Sequence, residues 1–213
     1  MSGIKIRGTG RFAPAKIVTN DDLAKIVDTS DEWITTRTGI QTRHHCTTET
    51  HTDMCVGAAR QALENAGISP EDIGACVVAT FSSDYLSPSA ACMVQRGLGL
   101  PHDAVCFDLN AACSGFLFAI HTMECLLAQA PRKYGLVIGA EMLSRFINWE
   151  DRGTCVLFGR RRRCGGGVAG GLSLHPRRSG LPRRPGHAGR HRRGEAGAGP
   201  HLHARPAHLQ VRR

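Results

Sequence analysis

The character of the chain changes abruptly at Gly159. Before this residue, short apolar runs alternate with amphipathic stretches, whereas residues 160–213 consist largely of Arg, Gly, Pro and His. The second segment contains 11 Gly and five Pro but no Ile, Phe, Tyr, Trp or Met. A segment of this composition cannot bury enough apolar surface to offset the conformational entropy lost on folding. We therefore expect an ordered domain over residues 1–159 and a disordered basic tail over residues 160–213.

Charge divides the chain at the same place. Residues 1–159 carry 13 Lys and Arg against 17 Asp and Glu, whereas residues 160–213 carry 14 Arg against a single acid, Glu195. The net charge of +9 therefore belongs to the tail. The larger segment gives no electrostatic reason to expect nucleic-acid binding. The tail keeps a second hypothesis open, in which a non-catalytic protein binds RNA or an anionic surface through its Arg runs.

Cysteine usage and hydropathy indicate the compartment. The nine cysteines are scattered without a Cys-x-x-Cys pair, so we do not expect a zinc site. Several of them lie in apolar runs, where a reduced cysteine behaves as a small hydrophobe, as is typical of a reducing cytosol. Residues 1–11 lack the apolar core of a signal peptide. No apolar run reaches the ~18 residues of a membrane span. These features predict a cytoplasmic protein without membrane contact.

Apolar runs and helical patterns alternate along residues 1–159. The runs predict strands at Ile4–Arg7, Ala75–Thr80, Ala104–Leu109, Tyr134–Gly139 and Thr154–Phe158. Apolar residues at helical spacing predict helices at Met54–Ala66, Ser89–Leu98 and Ser114–Gln129. Strands that alternate with helices favour an α/β fold, in which helices cover a parallel or mixed sheet.

One cysteine stands between a predicted strand and a long apolar helix. The sequence from Val105 reads Val-Cys-Phe-Asp-Leu-Asn-Ala-Ala-Cys-Ser-Gly-Phe, which places Cys113 among small residues. A sharp strand-to-helix turn would bring its thiol to the helix N-terminus, where backbone N–H groups and the helix dipole stabilise a thiolate. Its backbone N–H could also help to hold an oxyanion. The residues alone leave two interpretations open, a nucleophile or a small core residue.

Several motifs, in order, resemble those of one enzyme family. They are Gly8-Thr9-Gly10, the stretch from Asp28 to Ile40, Pro88 to Cys92, Asn110 to Phe116, and Asp151 to Thr154 with Phe158-Gly159. Over about residues 4–159 the chain resembles the β-ketoacyl-acyl-carrier-protein synthase III enzymes, which are condensing enzymes of the thiolase-like superfamily. The resemblance implies the N-terminal half of a thiolase-like fold, with a mixed sheet and helical layers.

The resemblance also implies an acyltransferase reaction. Cys113 matches the nucleophile that takes the acyl group from acyl-CoA as a thioester, and Trp33 and Arg37 match positions that contact CoA. Family members then condense the acyl group with malonyl-acyl-carrier protein, which starts fatty acid biosynthesis. They act as homodimers, and the resemblance implies no cofactor besides the substrate acyl-CoA. Without the resemblance, Trp33 would be interpreted as a partly buried aromatic residue and Arg37 as a solvated cation.

The resemblance stops where the tail begins. Family members follow Phe-Gly with Asp-Gly-Ala-Gly-Ala and a second half that carries a catalytic His and Asn, whereas this chain continues with four arginines. Neither His121 nor any histidine of the tail matches those motifs. We therefore expect slow self-acylation at most and no condensation. Out-of-frame translation after Gly159 would explain both the sudden loss of the family motifs and the absence of Lys from the tail. A third hypothesis is an inactive relative that pairs with complete synthases.

Overall fold

A mixed five-stranded sheet forms the centre of the protein. The computed structural model describes residues 3–158 and 168–176. Across the sheet the strands are β1 (Ile4–Phe12), β7 (Val168–Pro176), β6 (Tyr134–Glu141), β4 (Ile73–Ala79) and β5 (Val105–Leu109). The strands β4, β5 and β6 are parallel, whereas β7 runs antiparallel to both β1 and β6. A separate antiparallel pair consists of β2 (Lys16–Thr19) and β3 (Thr42–His45). The expected α/β fold with a mixed sheet is confirmed.

Helices cover both faces of this sheet. In the described part of the chain they are α1 (Asn20–Ala24), α2 (Asp31–Thr38), α3 (His51–Ala66), α4 (Ala90–Leu98), α5 (Gly115–Leu127) and α6 (Arg152–Phe158). On β4, Cys76 and Val78 pack in the core that contains α3 and α4, while Ala75 and Val77 pack in the core that contains α5. Every residue of β4 is buried, which explains its unbroken apolar run. No helix among the described residues is long and apolar enough to cross a bilayer.

Two glycines allow β1 to lie directly against α3. A Cβ atom on Gly8 would collide with the backbone oxygen of Ala62, and one on Gly10 would collide with that of Ala58. Only residues without a side chain permit so close an approach of a strand to a helix backbone. The Gly8-Thr9-Gly10 motif therefore has a packing role.

The helix α3 begins with its backbone donors satisfied from two sides. Thr50 accepts a hydrogen bond from the backbone N–H of Asp53 at 3.0 Å. Asp84, from a distant loop, accepts from the N–H groups of His51 at 3.1 Å and Thr52 at 2.8 Å. The Asp84 carboxylate also binds the Arg145 guanidinium at 2.7 Å. These bonds satisfy N–H groups that a helix start leaves without partners, and they join α3 to the loops that follow β4 and β6.

The segment Thr154–Phe158 is helical, so the prediction of a strand there is wrong. It forms most of α6, which begins after Asp151. The Asp151 carboxylate accepts from the N–H of Gly153 at 2.9 Å and the hydroxyl of Thr154 at 2.7 Å. This local cap overrides the strand preference of the short apolar run. Only one side of the helix is covered: Cys155 is buried, whereas Phe158 is 41% exposed.

Nine residues of the expected disordered tail are ordered. The strand β7 pairs with β1 from Ile4 to Phe12 and with β6 from Gly135 to Glu141, so its backbone is bonded on both edges. Leu174 is fully buried in the core beneath α5. This stretch forms a strand because it pairs with β1 and β6 on its two edges, although the tail as a whole has few apolar residues. The expectation of disorder is therefore wrong for Val168–Pro176, and the rest of the tail lies outside the described residues.

Candidate active site

Cys113 lies in a tight turn between β5 and α5. A 3-10 turn over Ala112–Ser114 connects the two elements, and Cys113 is exposed. Ala112 has a φ of 45°, a left-handed conformation that is uncommon and strained for a residue other than glycine. The helix α5 begins at Gly115, and its N-cap residue Ser114 makes no side-chain capping bond. The structure thus has the sharp strand-to-helix turn that the sequence predicts, while the role of Cys113 as nucleophile stays a prediction.

Exposure distinguishes Cys113 from most of the other cysteines. Burial raises the pKa of the Cys55 and Cys76 thiols well above the ordinary value, and that of Cys106 to about 11. Such thiols remain protonated at neutral pH and are poor nucleophiles. Of the eight cysteines that the structure describes, Cys113 and Cys125 are the exposed ones.

Asp108 fixes the strand that leads to the Cys113 turn. Its carboxylate accepts hydrogen bonds from the first two N–H groups of α4, those of Ala90 at 2.7 Å and Ala91 at 2.8 Å. Charge-assisted bonds of this kind are stronger than neutral ones. Because Asp108 is on β5 and its partners are on α4, the end of the strand is held against the neighbouring helix. This anchoring lies five residues before Cys113 in the chain.

The neighbouring strands end in a polar network. Glu141, at the end of β6, accepts hydrogen bonds from the backbone N–H of Phe81 at 3.1 Å, from the hydroxyl of Thr80 at 3.4 Å and from the hydroxyl of Ser82. Since β4, β5 and β6 are parallel, their carboxyl ends lie at the same edge of the sheet, where ligands bind in open α/β sheets. The network and the Cys113 turn therefore share this edge. Sequence analysis did not single out Glu141.

Trp33 is accompanied by two arginines. The guanidinium groups of Arg37 and Arg152 each lie 4.5 Å from the centroid of its indole ring. Trp33 and Arg37 are both on α2, whereas Arg152 opens α6 and also donates a hydrogen bond of 3.0 Å to the backbone oxygen of Asp28. Cation–π contacts of this kind hold the guanidinium planes in place. Two cations beside an aromatic ring form a surface suited to a planar, anionic ligand.

An open cleft of about 690 Å³ adjoins Arg152. Its lining is formed by residues that precede α2 and α6 and by the first residue of α6, namely Ile26, Val27, Asp28, Asn148, Trp149, Glu150 and Arg152. Trp33 and Trp149 belong to the same apolar cluster, which packs α2 against α6. The structure thus brings Trp33 and Arg37 together. Among the described residues, no hydrogen bond or ring contact connects this group to Cys113.

Arg152 is a second residue that sequence analysis did not single out. It stands in the quoted motif Asp151-Arg152-Gly153-Thr154, but the motif gave it no role. Its approach to Trp33 depends on α6 being a helix that packs on α2, and the sequence predicted a strand there.

Within residues 3–158 and 168–176, no group of three His, Cys, Asp or Glu side chains is placed to hold a metal ion.

Comparisons with known proteins find similarity to one kind of enzyme. A family model described as 3-oxoacyl-[acyl-carrier-protein (ACP)] synthase III matches residues 107–169, which include Cys113 and extend ten residues past Gly159. The β-ketoacyl-[acyl-carrier-protein] synthase III of Clostridium acetobutylicum is 50% identical over 159 residues, which are 75% of this chain and 49% of the relative. That of Clostridium botulinum is 44% identical over 189 residues, covering 85% and 56% of the two chains.

A solved structure shows the same relationship. The 3-oxoacyl-[acyl-carrier-protein] synthase III of Aquifex aeolicus superposes with a TM-score of 0.76 at 45% identity, covering 83% of this chain and 55% of that one. The chain matches one half of a 3-oxoacyl-[acyl-carrier-protein] synthase III. Its sheet and helices form one half of the thiolase-like fold of these synthases. The chain spans about half the length of the curated synthase III relatives that it matches.

Proposed function

We propose that the chain is an acyltransferase of the synthase III type that accepts an acyl group from acyl-CoA on Cys113. The observation that carries this proposal is the exposed Cys113 thiol on a strained turn before an apolar helix. The thiolate attacks the carbonyl carbon of the acyl-CoA thioester. A bond from the acyl carbon to the Cys113 sulfur forms, the bond to the CoA sulfur breaks, and CoA leaves as a thiolate, which solvent protonates. The backbone N–H of Cys113 is a candidate donor to the oxyanion.

The aromatic and cationic group on α2 and α6 is the proposed contact for CoA. Its nucleotide offers a planar base and phosphate groups, and Trp33, Arg37 and Arg152 offer a ring and two guanidiniums. Arginine binds phosphate through two parallel hydrogen bonds, and aromatic rings stack on bases. Acyl-CoA is therefore the substrate, and the proposal requires no cofactor.

Condensation with malonyl-acyl-carrier protein, the reaction that starts fatty acid biosynthesis, requires more than Cys113. Decarboxylation of the malonyl group develops an enolate, which needs further hydrogen-bond donors. The family resemblance assigns a catalytic His and Asn to the half of the relatives that this chain does not match. We therefore propose self-acylation without condensation, in a cytoplasmic protein.

A homodimer is also part of the proposal. The strand β5 is at the edge of the main sheet, so one of its sides is without a neighbouring strand among the described residues. Val105 on this strand is 49% exposed, and Leu86 in the preceding loop is fully exposed. Unpaired strand edges are ready templates for pairing with another chain. These features support association of two copies through β5.

Labelling tests the acyl-transfer step. Incubation of the full chain with radiolabelled acetyl-CoA should transfer label to the protein, and Cys113→Ala should abolish it. Cys125→Ala is the matched control, because Cys125 is also exposed and lies on α5, the helix that follows the Cys113 turn. Label that survives Cys113→Ala, or that disappears in Cys125→Ala, contradicts the proposal. Addition of malonyl-acyl-carrier protein should give no β-ketoacyl product.

The arginine content of the tail favours one alternative, a non-catalytic protein that binds RNA. Residues 160–213 hold 14 Arg and one acid, and such a segment would bind RNA with a steep dependence on salt. Because Val168–Pro176 belongs to the sheet, the discriminating truncation should end after Pro176 and not at Gly159. Loss of RNA retention with unchanged acylation in this truncation would assign the two activities to separate segments.

A further inference from the structure

Thr80, the residue that follows β4, is bonded to the strand that leads to Cys113. Its backbone N–H donates a hydrogen bond of 3.1 Å to the carbonyl oxygen of Leu109, the last residue of β5. The preceding residue, Ala79, lies beside the first residue of α5, since a Cβ atom on Gly115 would be 3.5 Å from that of Ala79. The end of β4 therefore contacts the Cys113 turn both before and after the cysteine.

The hydroxyl of Thr80 uses its donor and both of its acceptor positions. It accepts from the ring Nε2–H of His51 at 3.0 Å and from the backbone N–H of Ser82 at 3.1 Å. It donates to the carboxylate of Glu141 at 3.4 Å. Thr80 is buried, so the loss of these partners would not be made good by water. The position of Thr80 is therefore determined by contacts with α3, β6 and its own loop.

His51 has the tautomer that this network requires. Its Nε2 also lies 3.0 Å from the carbonyl oxygen of Ala140, which can only accept, so Nε2 carries the hydrogen. Its Nδ1 lies 3.6 Å from the sulfur of Cys55 and accepts from that thiol. His51 is fully buried. Because both ring nitrogens have partners, the imidazole is a fixed donor to Thr80.

Ser82 completes the network on the side of β6. Its hydroxyl donates to the Glu141 carboxylate and accepts from the backbone N–H of Met142 at 2.7 Å. Glu141 thus holds three successive residues after β4, two through their hydroxyls and Phe81 through its backbone N–H. Bonds to a charged acceptor are stronger than neutral ones. The loop that begins at Thr80 is therefore fixed to the end of β6.

The strained turn needs support of this kind. Ala112, next to Cys113, has its φ of 45° only because the surrounding structure imposes it. We propose that Thr80 is a positioning residue for Cys113. Its hydroxyl network fixes the end of β4, and the end of β4 in turn fixes Leu109 and Gly115, between which the nucleophile turn lies. Thr80 acts through the turn and not by contact with the acyl group. This inference rests on the proposed role of Cys113 as nucleophile.

Replacement of the hydroxyl by a methyl group tests the proposal. Thr80→Val keeps the branched shape and the backbone N–H that binds Leu109. In single-turnover labelling of the full chain with acetyl-CoA, it should lower the maximal acylation rate about tenfold at an unchanged half-saturating concentration, because the thiolate is misplaced while the proposed CoA contact is intact. Thr80→Ser keeps the hydroxyl and should react within about twofold of the wild type.

Thr19→Val is the matched control. The Thr19 hydroxyl also accepts from a backbone N–H, that of Asp22 at 3.2 Å, but it caps α1 and has no part in the Thr80 network. Loss of a cap lowers stability. This variant therefore reproduces a loss of stability alone. With rates divided by the folded fraction from circular dichroism, Thr19→Val should be acylated like the wild type.

Alkylation of Cys113 supplies a measurement that does not use acetyl-CoA. Iodoacetamide reacts with thiolates, and mass spectrometry of the peptides would give the rate at Cys113 relative to that at the exposed Cys125 of the same chain. Thr80→Val should lower this ratio at least about threefold, because a displaced thiol loses the stabilisation of the helix N-terminus. Thr80→Ser and Thr19→Val should leave the ratio unchanged.

Three results would overturn the inference. The first is a Thr80→Val chain with the wild-type acylation rate and the wild-type alkylation ratio. The second is a higher half-saturating concentration at an unchanged maximal rate, which would place Thr80 in CoA binding. The third is an equal loss in Thr80→Val and Thr19→Val. A wild-type chain that is not acylated, with a lowered ratio in Thr80→Val, would contradict the proposed acyl transfer and still support positioning of Cys113 by Thr80.

Discussion

The candidate site residues were proposed from motifs, and their roles in catalysis and binding stay predictions. Cys113, Trp33 and Arg37 stand in continuous motifs, and the small residues around Cys113 already indicated a tight turn. Arg152 could not be assigned in the same way, because its contact with Trp33 is made across two helices far apart in the sequence. A motif shows which residues occur together along the chain, whereas a cation–π pair depends on the packing of the elements that carry them.

The paired arginines lead to a prediction about CoA binding. Arg152→Ala should weaken acetyl-CoA binding about tenfold, since it removes one charge-assisted contact to phosphate. Trp33→Ala should have a similar effect by removing the ring that both guanidiniums contact. Arg132→Ala is the control, because Arg132 pairs with Asp103 elsewhere on the surface. Isothermal titration would measure the dissociation constants, and equal affinities for all variants would exclude this group as the CoA contact.

Asp84 provides a prediction about pH and stability. Burial raises the pKa of Asp84, but hydrogen bonds from Arg145 and from the backbone of Thr52 outweigh it, and the net pKa is lowered. Its stabilising contribution is therefore complete above the unfolded value of about 3.9 and is lost as the pH falls through the lower folded pKa. At neutral pH, Asp84→Asn should reduce the free energy of unfolding by about 1–2 kcal/mol, as loss of a helix cap does.

Urea unfolding at several pH values would measure this effect. The difference between wild type and Asp84→Asn should shrink below about pH 4, where the carboxylate becomes protonated. Asp103→Asn is the control, because Asp103 is well exposed and its ion pair with Arg132 is screened by solvent. It should leave the unfolding midpoint nearly unchanged at every pH. A difference for Asp84→Asn that stays constant down to acidic pH would contradict the assignment.

At the scale of elements, periodicity predicted the central strands and helices but failed at one short segment. The strands β4, β5 and β6 and the helices α3, α4 and α5 are close to the bounds that their apolar patterns predict. Thr154–Phe158 is as long as β5, but the Asp151 cap that precedes it favours a helix. The sequence also could not show that Leu117 and Phe118 remain uncovered, since exposure depends on the neighbouring element and not on the pattern.

The contact of β1 with α3 gives an element-scale prediction. Gly10→Ala should destabilise the protein by about 1–3 kcal/mol, because the added methyl group collides with the α3 backbone and forces the two elements apart. Thr9→Ala should change stability by less than about 0.5 kcal/mol, since Thr9 is exposed. Thermal unfolding followed by circular dichroism would compare them. Equal losses for the two variants would show that close approach of β1 and α3 is unimportant.

At the scale of the whole molecule, the composition of the tail predicted disorder, whereas Val168–Pro176 form the strand β7. We predict that a chain ending at Ser179 keeps the fold, whereas a chain ending at Gly159 loses β7 and with it the pairing of β1 to the rest of the sheet. Hydrogen exchange would show the difference as fast exchange of the β1 amides in the shorter chain alone. Protected β1 amides in both truncations would contradict this prediction.

The proposed origin of the tail is tested by the coding DNA. If translation leaves the family reading frame after Gly159, another frame should encode Asp-Gly-Ala-Gly-Ala followed by the missing His and Asn motifs. The family model matches as far as residue 169, so the detected resemblance ends ten residues past Gly159. Absence of these motifs from both other frames would show that the tail is genuine and strengthen the RNA-binding alternative.

The position of β7 also determines the order in which the sheet is completed. Ile4 is synthesised at the very start of the chain, yet its partner in the sheet is Pro176. Contacts between residues so far apart in sequence form slowly, because a long loop must close first. During translation β1 must wait for nearly the whole domain to emerge before it gains a neighbouring strand. In that interval the contact with α3 covers one face of β1, whereas its edges have no neighbouring strand and could pair with another chain.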